Sequence, residues 1–232
     1  MKQIKRMATE TSTPAASPIA PAQSSVFLVD DDASVRRALT RLIQSAGHQV
    51  QTFASAQEFL GKSGGVAEKA GCLVLDVRMP GLTGIDLQRE LQSRNCSLSI
   101  VFITGHGDIP MSVKAMKAGA VDFLPKPVND TVLLGAIEQA IARASRDRAA
   151  RQEVEDVQRR VETLTARERE VMPLVVSGLP NKMIAFNLGT VEKTIKVHRA
   201  RIMQKMQAKS LADLVRFTEK LKGAGSVSPL PA

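Results

Sequence analysis

Cys72-Leu-Val-Leu-Asp-Val-Arg-Met-Pro-Gly-Leu-Thr-Gly84 begins with four apolar residues and breaks off at a carboxylate, Asp76. So short an unbroken apolar run marks a strand covered on both faces. Val26-Phe-Leu-Val29, Leu98-Ser-Ile-Val-Phe-Ile103 and Ala120-Val-Asp-Phe-Leu124 are runs of the same kind, while His48-Gln-Val-Gln-Thr-Phe53 alternates like an edge strand. Helical patterns lie between them, near 33–46, 55–62, 84–94, 109–118 and from 130 onward. Five β/α units predict an α/β domain over 25–145, a flavodoxin-like, doubly wound, five-stranded parallel sheet. On such sheets the chemistry collects at the carboxyl ends of the strands.

Those ends carry a consistent set of groups. Asp30, Asp31 and Asp32 follow the first strand, Asp76 the third, Thr104 the fourth and Lys126-Pro127 the fifth. Crowded carboxylates repel one another unless a cation is present. Three oxygen donors with room for water suit Mg²⁺. A hard divalent ion beside a carboxylate, with a lysine opposite, is equipment for phosphoryl transfer: metal and Lys126 would neutralise the phosphoryl oxygens, and Asp76 can be the nucleophile. Asp32 reads instead as the N-cap of the helix starting near Ala33, and His106 as a loop residue.

Charge is distributed unevenly. The 232 residues carry a net +9, and residues 160–232 alone hold 13 basic against 6 acidic groups, a net +7. This concentration points to nucleic acid as the partner of the last third. The chain has no Trp and no Tyr, and Phe186 and Phe217 are the only aromatics in that third, which argues against stacking on single-stranded bases. No apolar run reaches the roughly 18 residues of a membrane span, and residues 1–24 lack the apolar core of a secretory signal. They and residues 225–232 read as disordered tails, and the two cysteines, Cys72 and Cys96, as reduced thiols of a cytoplasmic protein.

Beyond residue 130 the helical pattern continues. Ala150, Val154, Val157, Val161 and Leu164 recur at heptad spacing, which predicts a helical linker over 146–163 with a coiled-coil seam. An all-α, four-helix domain follows over 164–224. Capping boxes at Thr165-Ala-Arg-Glu168 and Ser210-Leu-Ala-Asp213 open its first and fourth helices. Asn181 is expected to cap the second, ending at Gly189, and the third spans about Glu192 to Met206. Val191 lacks the hydroxyl of a good cap for the third unless Thr190 takes over, and Pro173 falls inside the first, where it removes a hydrogen bond.

Val29-Asp-Asp-Asp32, Leu75-Asp-Val-Arg-Met-Pro-Gly-Leu-Thr-Gly84, Phe102-Ile-Thr-Gly-His-Gly-Asp108 and Asp122-Phe-Leu-Pro-Lys-Pro127 together resemble the receiver domain of two-component response regulators. The similarity covers about 25–145 and is strongest to the FixJ branch. Residues 165–222 resemble the LuxR-type helix-turn-helix of the NarL/FixJ family, through Leu164-Thr-Ala-Arg-Glu-Arg-Glu-Val171, Ser177-Gly-Leu-Pro-Asn-Lys182 and Glu192-Lys-Thr-Ile-Lys-Val-His-Arg199. The resemblance implies Asp76 as phosphoacceptor. It implies Mg²⁺ held by Asp30, Asp31, Asp76 and the backbone carbonyl of Arg78, and Thr104 and Lys126 on the phosphoryl group. Phe123 stands where the family keeps a switch aromatic, and Lys126-Pro127 at a bond that is cis in the family. The third C-terminal helix would enter a major groove. Lys193, Lys196, Val197 and Ala200 then approach bases, Thr194 belongs to the same DNA-binding set, and Lys182, Arg199, Arg201 and Lys205 bind phosphates. His198 belongs to the inner face as a hydrogen-bonded core residue. Leu211, Leu214, Val215 and Leu221 would form a dimer contact.

The implied protein is a signalling and binding protein, not an enzyme. Its partners would be a sensor histidine kinase, double-stranded promoter DNA, RNA polymerase and, on phosphorylation, a second copy of itself in a homodimer. A stand-alone phosphatase of the aspartyl-phosphate type would need a second Asp two residues after Asp76, where Arg78 stands. A regulator with a degenerate receiver would need a defect in a pocket that is complete in sequence.

Overall fold

The computed structural model describes residues 25–62, 71–94, 96, 98–105 and 109–223, so the tails expected at 1–24 and 225–232 and the role given to His106 lie outside the described residues. The chain divides into two compact units, Met1–Ile141 and Ala142–Ala232.

In the first unit, strands β1 (Ser25–Val29), β2 (Gln49–Phe53), β3 (Gly71–Asp76), β4 (Ser99–Thr104) and β5 (Asp122–Pro125) alternate with helices α1 (Ala33–Ser45), α2 (Ala56–Lys62), α3 (Gly84–Ser93) and α4 (Ile109–Lys117), and α5 (Asp130–Glu162) follows β5. All strand pairs are parallel, in the order β2-β1-β3-β4-β5. The alternating segment is thus an edge strand, and every residue of β3 and β4 is buried. Phe27, Leu73, Leu75 and Phe102 face one apolar layer with α2, α3 and α4, while Val26, Leu28, Val74 and Ile103 face the other with α1 and the first turns of α5. This two-faced burial is what makes the strands read as unbroken apolar runs. Asp32 caps α1, accepting from the N–H groups of Ser34 and Val35, and Lys126-Pro127 is cis.

The second unit comprises the rest of α5 with α6 (Ala166–Val176), α7 (Asn181–Asn187), α8 (Glu192–Lys205) and α9 (Leu211–Gly223). Val171, Met172, Val175, Ile184, Ile195, Ile202 and Leu214 form its centre. Both capping boxes are made: Thr165 with Glu168, and Ser210 with Asp213. Helix α6 runs through Pro173.

Three expectations change here, and a fourth that was left open, the cap of the third C-terminal helix, is decided. The stripe from Val154 to Leu164 is no free seam: Val157 and Leu164 are buried in the core of α6–α9, with Val154 and Val161 packed against it, and only Ala150 stays exposed. Apolar helix faces seek the nearest complementary surface, and here that surface lies within the same unit. Likewise Leu214 and Leu221 are core residues and Leu211 packs against them, leaving half-buried Val215 alone of the four expected dimer contacts outside that cluster. Pro180, not Asn181, occupies the N-cap of α7, and the Asn181 side chain accepts from Arg199 instead. Val191 caps α8 with no side-chain bond, so Thr190 does not take over.

Candidate functional site

Because the sheet is parallel, β1, β3, β4 and β5 deliver their last residues to one edge. Asp30 is fully buried and Asp76 is 6% exposed. Lys126 reaches between them, its Nζ 2.6 Å from Asp30 Oδ2 and 2.8 Å from Asp76 Oδ2. Backbone donors hold the other oxygens: Asp32 N–H donates to Asp30 Oδ1 (2.9 Å) and Arg78 N–H to Asp76 Oδ1 (3.2 Å). Thr104 is buried at the end of β4, and its carbonyl accepts from Lys126 N–H at 2.7 Å. Phe123 is half-buried on β5, its ring 6.0 Å from that of Phe102. The structure thus brings Asp30, Asp76, Thr104 and Lys126 together as the sequence suggested.

Gly84 deserves a place in this group that its sequence context alone did not give it. A Cβ there would sit 2.3 Å from the carbonyl oxygen of Asp76, so only glycine lets the start of α3 approach the end of β3.

Burial pushes the Asp30 carboxyl above its ordinary range, and the neighbouring Asp76 adds to the push, even though Lys126 and the Asp32 amide pull the other way. Burial alone would lower the Lys126 ammonium, but its bonds to Asp30 and Asp76 outweigh that and raise it. Carboxylate oxygens of Asp30, Asp31 and Asp76 all lie within 4.8 Å of one another. Three carboxylates outnumber the cations beside them, Lys126 and the Arg36 guanidinium on the Asp30 and Asp31 carbonyls, so negative charge is left over. The donor set is all oxygen, and with Asp31 exposed the site opens to water. Both features fit a hard dication such as Mg²⁺, and Asp30, Asp31 and Asp76 would hold it.

On α8 the buried residues are Ile195 and Ile202. Lys193, Lys196, Val197, Ala200 and Arg201 are exposed, Thr194 and Arg199 half-buried, and Lys182 on α7 is exposed. One free face of a helix following a helix and a glycine turn, with Gly189 at φ +62°, therefore presents cations around an apolar centre, Val197. Lys196 pairs with Glu192 one turn back at 3.2 Å, and Arg199 donates to Asn181 at 3.3 Å. Lys205 departs from expectation. Its ammonium bonds Glu168, itself 1% exposed, at 2.6 Å and the Thr163 carbonyl at 3.0 Å, so it serves the domain's own structure and is removed from the phosphate-binding set. His198 is half-buried, and its Nδ1 is buried with no hydrogen-bond partner among the described residues, unlike the bonded histidine expected.

Residues 26–138 match the family described as the response regulator receiver domain, and residues 162–218 the family of bacterial regulatory proteins, luxR family. The chain is 50% identical over 196 residues to nodulation protein W of Bradyrhizobium diazoefficiens, covering 84% of this chain and 86% of that protein. It is 45% identical over 192 residues to the transcriptional regulatory protein FixJ of Rhizobium meliloti, covering 83% of this chain and 93% of that one. A solved structure of the response regulator StyR superposes with a TM-score of 0.77 at 50% identity, over 86% of this chain and all of that one.

Proposed function

Since the chain belongs to the NarL/FixJ family of response regulators, a receiver domain followed by a LuxR-type helix-turn-helix domain, and is thereby a transcriptional regulator, we propose that it accepts a phosphoryl group on Asp76 from a sensor histidine kinase, dimerises, and binds promoter DNA where it acts with RNA polymerase. The observation that carries this reading is the Asp76 carboxylate, 6% exposed at a strand end, with Lys126 2.8 Å away and Asp30 and Asp31 alongside.

The chemistry follows from those placements. An Asp76 oxygen attacks phosphorus, a P–O bond forms, and the bond from phosphorus to the donor's imidazole nitrogen breaks with its electron pair leaving on that nitrogen. Asp30, Asp31, Asp76 and the Arg78 carbonyl would hold Mg²⁺, which when bound would supply positive charge for the phosphoryl oxygens. Lys126 supplies the second cation, and the Thr104 hydroxyl bonds the transferred group. Arg78, two residues past Asp76, offers no carboxylate for rapid hydrolysis of the acyl phosphate, which suits a lasting signal. Thr104 and Phe123 form the two-state element: bonding of Thr104 to the phosphoryl group frees space that the Phe123 ring fills, reshaping the α4–β5 face as a dimer surface. Two recognition helices then read two half-sites. Lys193, Thr194, Lys196, Val197 and Ala200 approach bases, while Lys182, Arg199 and Arg201 bind phosphates.

Incubation with acetyl phosphate and Mg²⁺, followed by intact-mass measurement, tests the first step. The wild-type chain should gain one phosphoryl group and Asp76→Asn none. Phosphorylation of Asp76→Asn, or uptake by wild type in the presence of a chelator, overturns the reading.

A further inference from the structure

Asp30 and Asp31 are held very differently. Asp30 is tied on every side: its carboxylate accepts from Asp32 N–H and Lys126, and its own N–H donates to the Phe53 carbonyl at 3.3 Å. Asp31 is exposed, and its carboxylate has no hydrogen-bond or ion-pair partner among the described residues. Where that carboxylate points is therefore set by the backbone between β1 and α1. The Asp30 carboxylate holds the Asp32 N–H, and Arg36 holds the carbonyls on either side of the Asp30–Asp31 bond. One guanidinium nitrogen of Arg36, in the first turns of α1, donates to the Asp30 carbonyl at 2.6 Å and to the Asp31 carbonyl at 2.9 Å. Arg36 is half-buried, and its charge also lowers the carboxyl of Glu58 on α2 after that group's bonds to Lys62 and Ala54.

We infer that Arg36 is a positioning residue for the divalent-cation site, fixing the Asp30–Asp31 backbone so that the Asp31 carboxylate meets the cation together with those of Asp30 and Asp76. The inference rests on the cation reading of the pocket given above. Charge and position act in opposite senses here. Arg36 brings a positive charge close to a dication site, so as a charge alone it opposes the metal, and its removal would tighten binding. As a brace it favours the metal, and its removal weakens binding, because the incoming ion must then order Asp31 itself.

The full chain would be titrated with Mg²⁺ by calorimetry, and its phosphorylation by acetyl phosphate followed by intact mass across a Mg²⁺ series. Arg36→Met, which keeps the apolar stem but has no donors or charge, should raise the Mg²⁺ Kd about tenfold, equivalent to about 1.4 kcal/mol. Arg36→Lys keeps the charge and one donor nitrogen, but on a shorter side chain that reaches the two carbonyls less well, and should raise it about threefold. Both should reach the wild-type extent of phosphorylation once Mg²⁺ saturates. An unchanged or tighter Kd in Arg36→Met overturns the inference, as does a phosphorylation defect that saturating Mg²⁺ does not repair. Should Arg36→Met fail to fold, the Kd of Arg36→Lys decides. A wild-type chain that binds no Mg²⁺ removes the cation reading and the inference with it, an outcome distinct from the other two because it appears before any substitution is made.

Discussion

Val157→Ala tests whether the end of α5 belongs to the DNA-binding unit or forms a seam between chains. Val157 is 1% exposed and lies in the cluster with Leu164, Val171 and Leu221. Neighbouring links tie the same stretch to the end of α8 and to α9: Arg160 donates to the Met206 carbonyl and lies 5.6 Å over the Phe217 ring, and Lys220 pairs with Glu153. Removing two buried methyl groups forfeits about 1.6 kcal/mol of transfer free energy. The partly relaxed cavity brings the total to about 2–3 kcal/mol. For a domain of this size that corresponds to a fall of roughly 10 °C in the melting temperature. Differential scanning calorimetry on the full chain should show this fall in the transition of the second unit, at any protein concentration. In a coiled-coil seam the same substitution would act through dimerisation, and its effect would vary with concentration. A fall of less than about 2 °C, or one that disappears on dilution, refutes the packing argument.

Asp30→Asn should stabilise the receiver near pH 7 while abolishing phosphorylation. The Asp30 carboxyl is raised by burial, so its ionisation opposes folding, and the gain should fade as pH falls to the ordinary carboxyl range near 3.8, measurable by thermal melts from pH 3 to 8. Glu168→Gln should do the reverse in the second unit. Burial pushes the Glu168 carboxyl up, but Lys205 and the Thr165 donors outweigh it and hold it low, so its stabilisation is present above the ordinary 4.5 and is lost as pH falls through the depressed value. A loss of about 1.5–3 kcal/mol at pH 7 that vanishes in acid is expected. Thr104→Ala should still take phosphate on Asp76 but dimerise poorly, with operator affinity near that of the unphosphorylated chain. Sedimentation and DNA binding on one phosphorylated sample would show it, and wild-type behaviour there removes Thr104 from the coupling.

The sheet and its acid edge were legible because the physics behind them is local. An apolar run ending in Asp at 30 and 76 states both the strand and where it surfaces, and Lys126-Pro127 does the same for β5. What failed to show was partnership. Periodicity says that Val154, Val157, Val161 and Leu164 share a helix face, but an apolar stripe looks the same whether it meets a second chain or α6–α9. Lys205 reads as one more cation on a basic helix, because its partner Glu168 lies 37 positions earlier and does duty in a capping box. Arg36 was passed over for a related reason: its bonds go to backbone carbonyls, which carry no sequence signature.

Lys126 and Lys205 give a reason to expect different responses to substitution in the two units, although each lysine bridges to a buried carboxylate. Lys205 joins one carboxylate and one carbonyl, Glu168 and Thr163, and the charges cancel. That arrangement is complete, so its removal costs stability and offers no chemistry. Lys126 faces two carboxylates, with a third within 4.8 Å of them, and cannot neutralise the set. An incomplete balance of this kind opposes folding: burial above all raises the Asp30 carboxyl, and the neighbouring Asp76 adds to it. It persists because the residues are fixed by strand ends whose stability comes from the sheet beneath them, and it leaves a standing demand for positive charge. Under the proposed function a dication would meet the demand, and a phosphoryl group would bring new negative charge that neutral donors such as Thr104 would hydrogen-bond without cancelling. The lysine that balances its site is a structural residue, and the lysine that falls short of doing so marks the site that responds to a ligand.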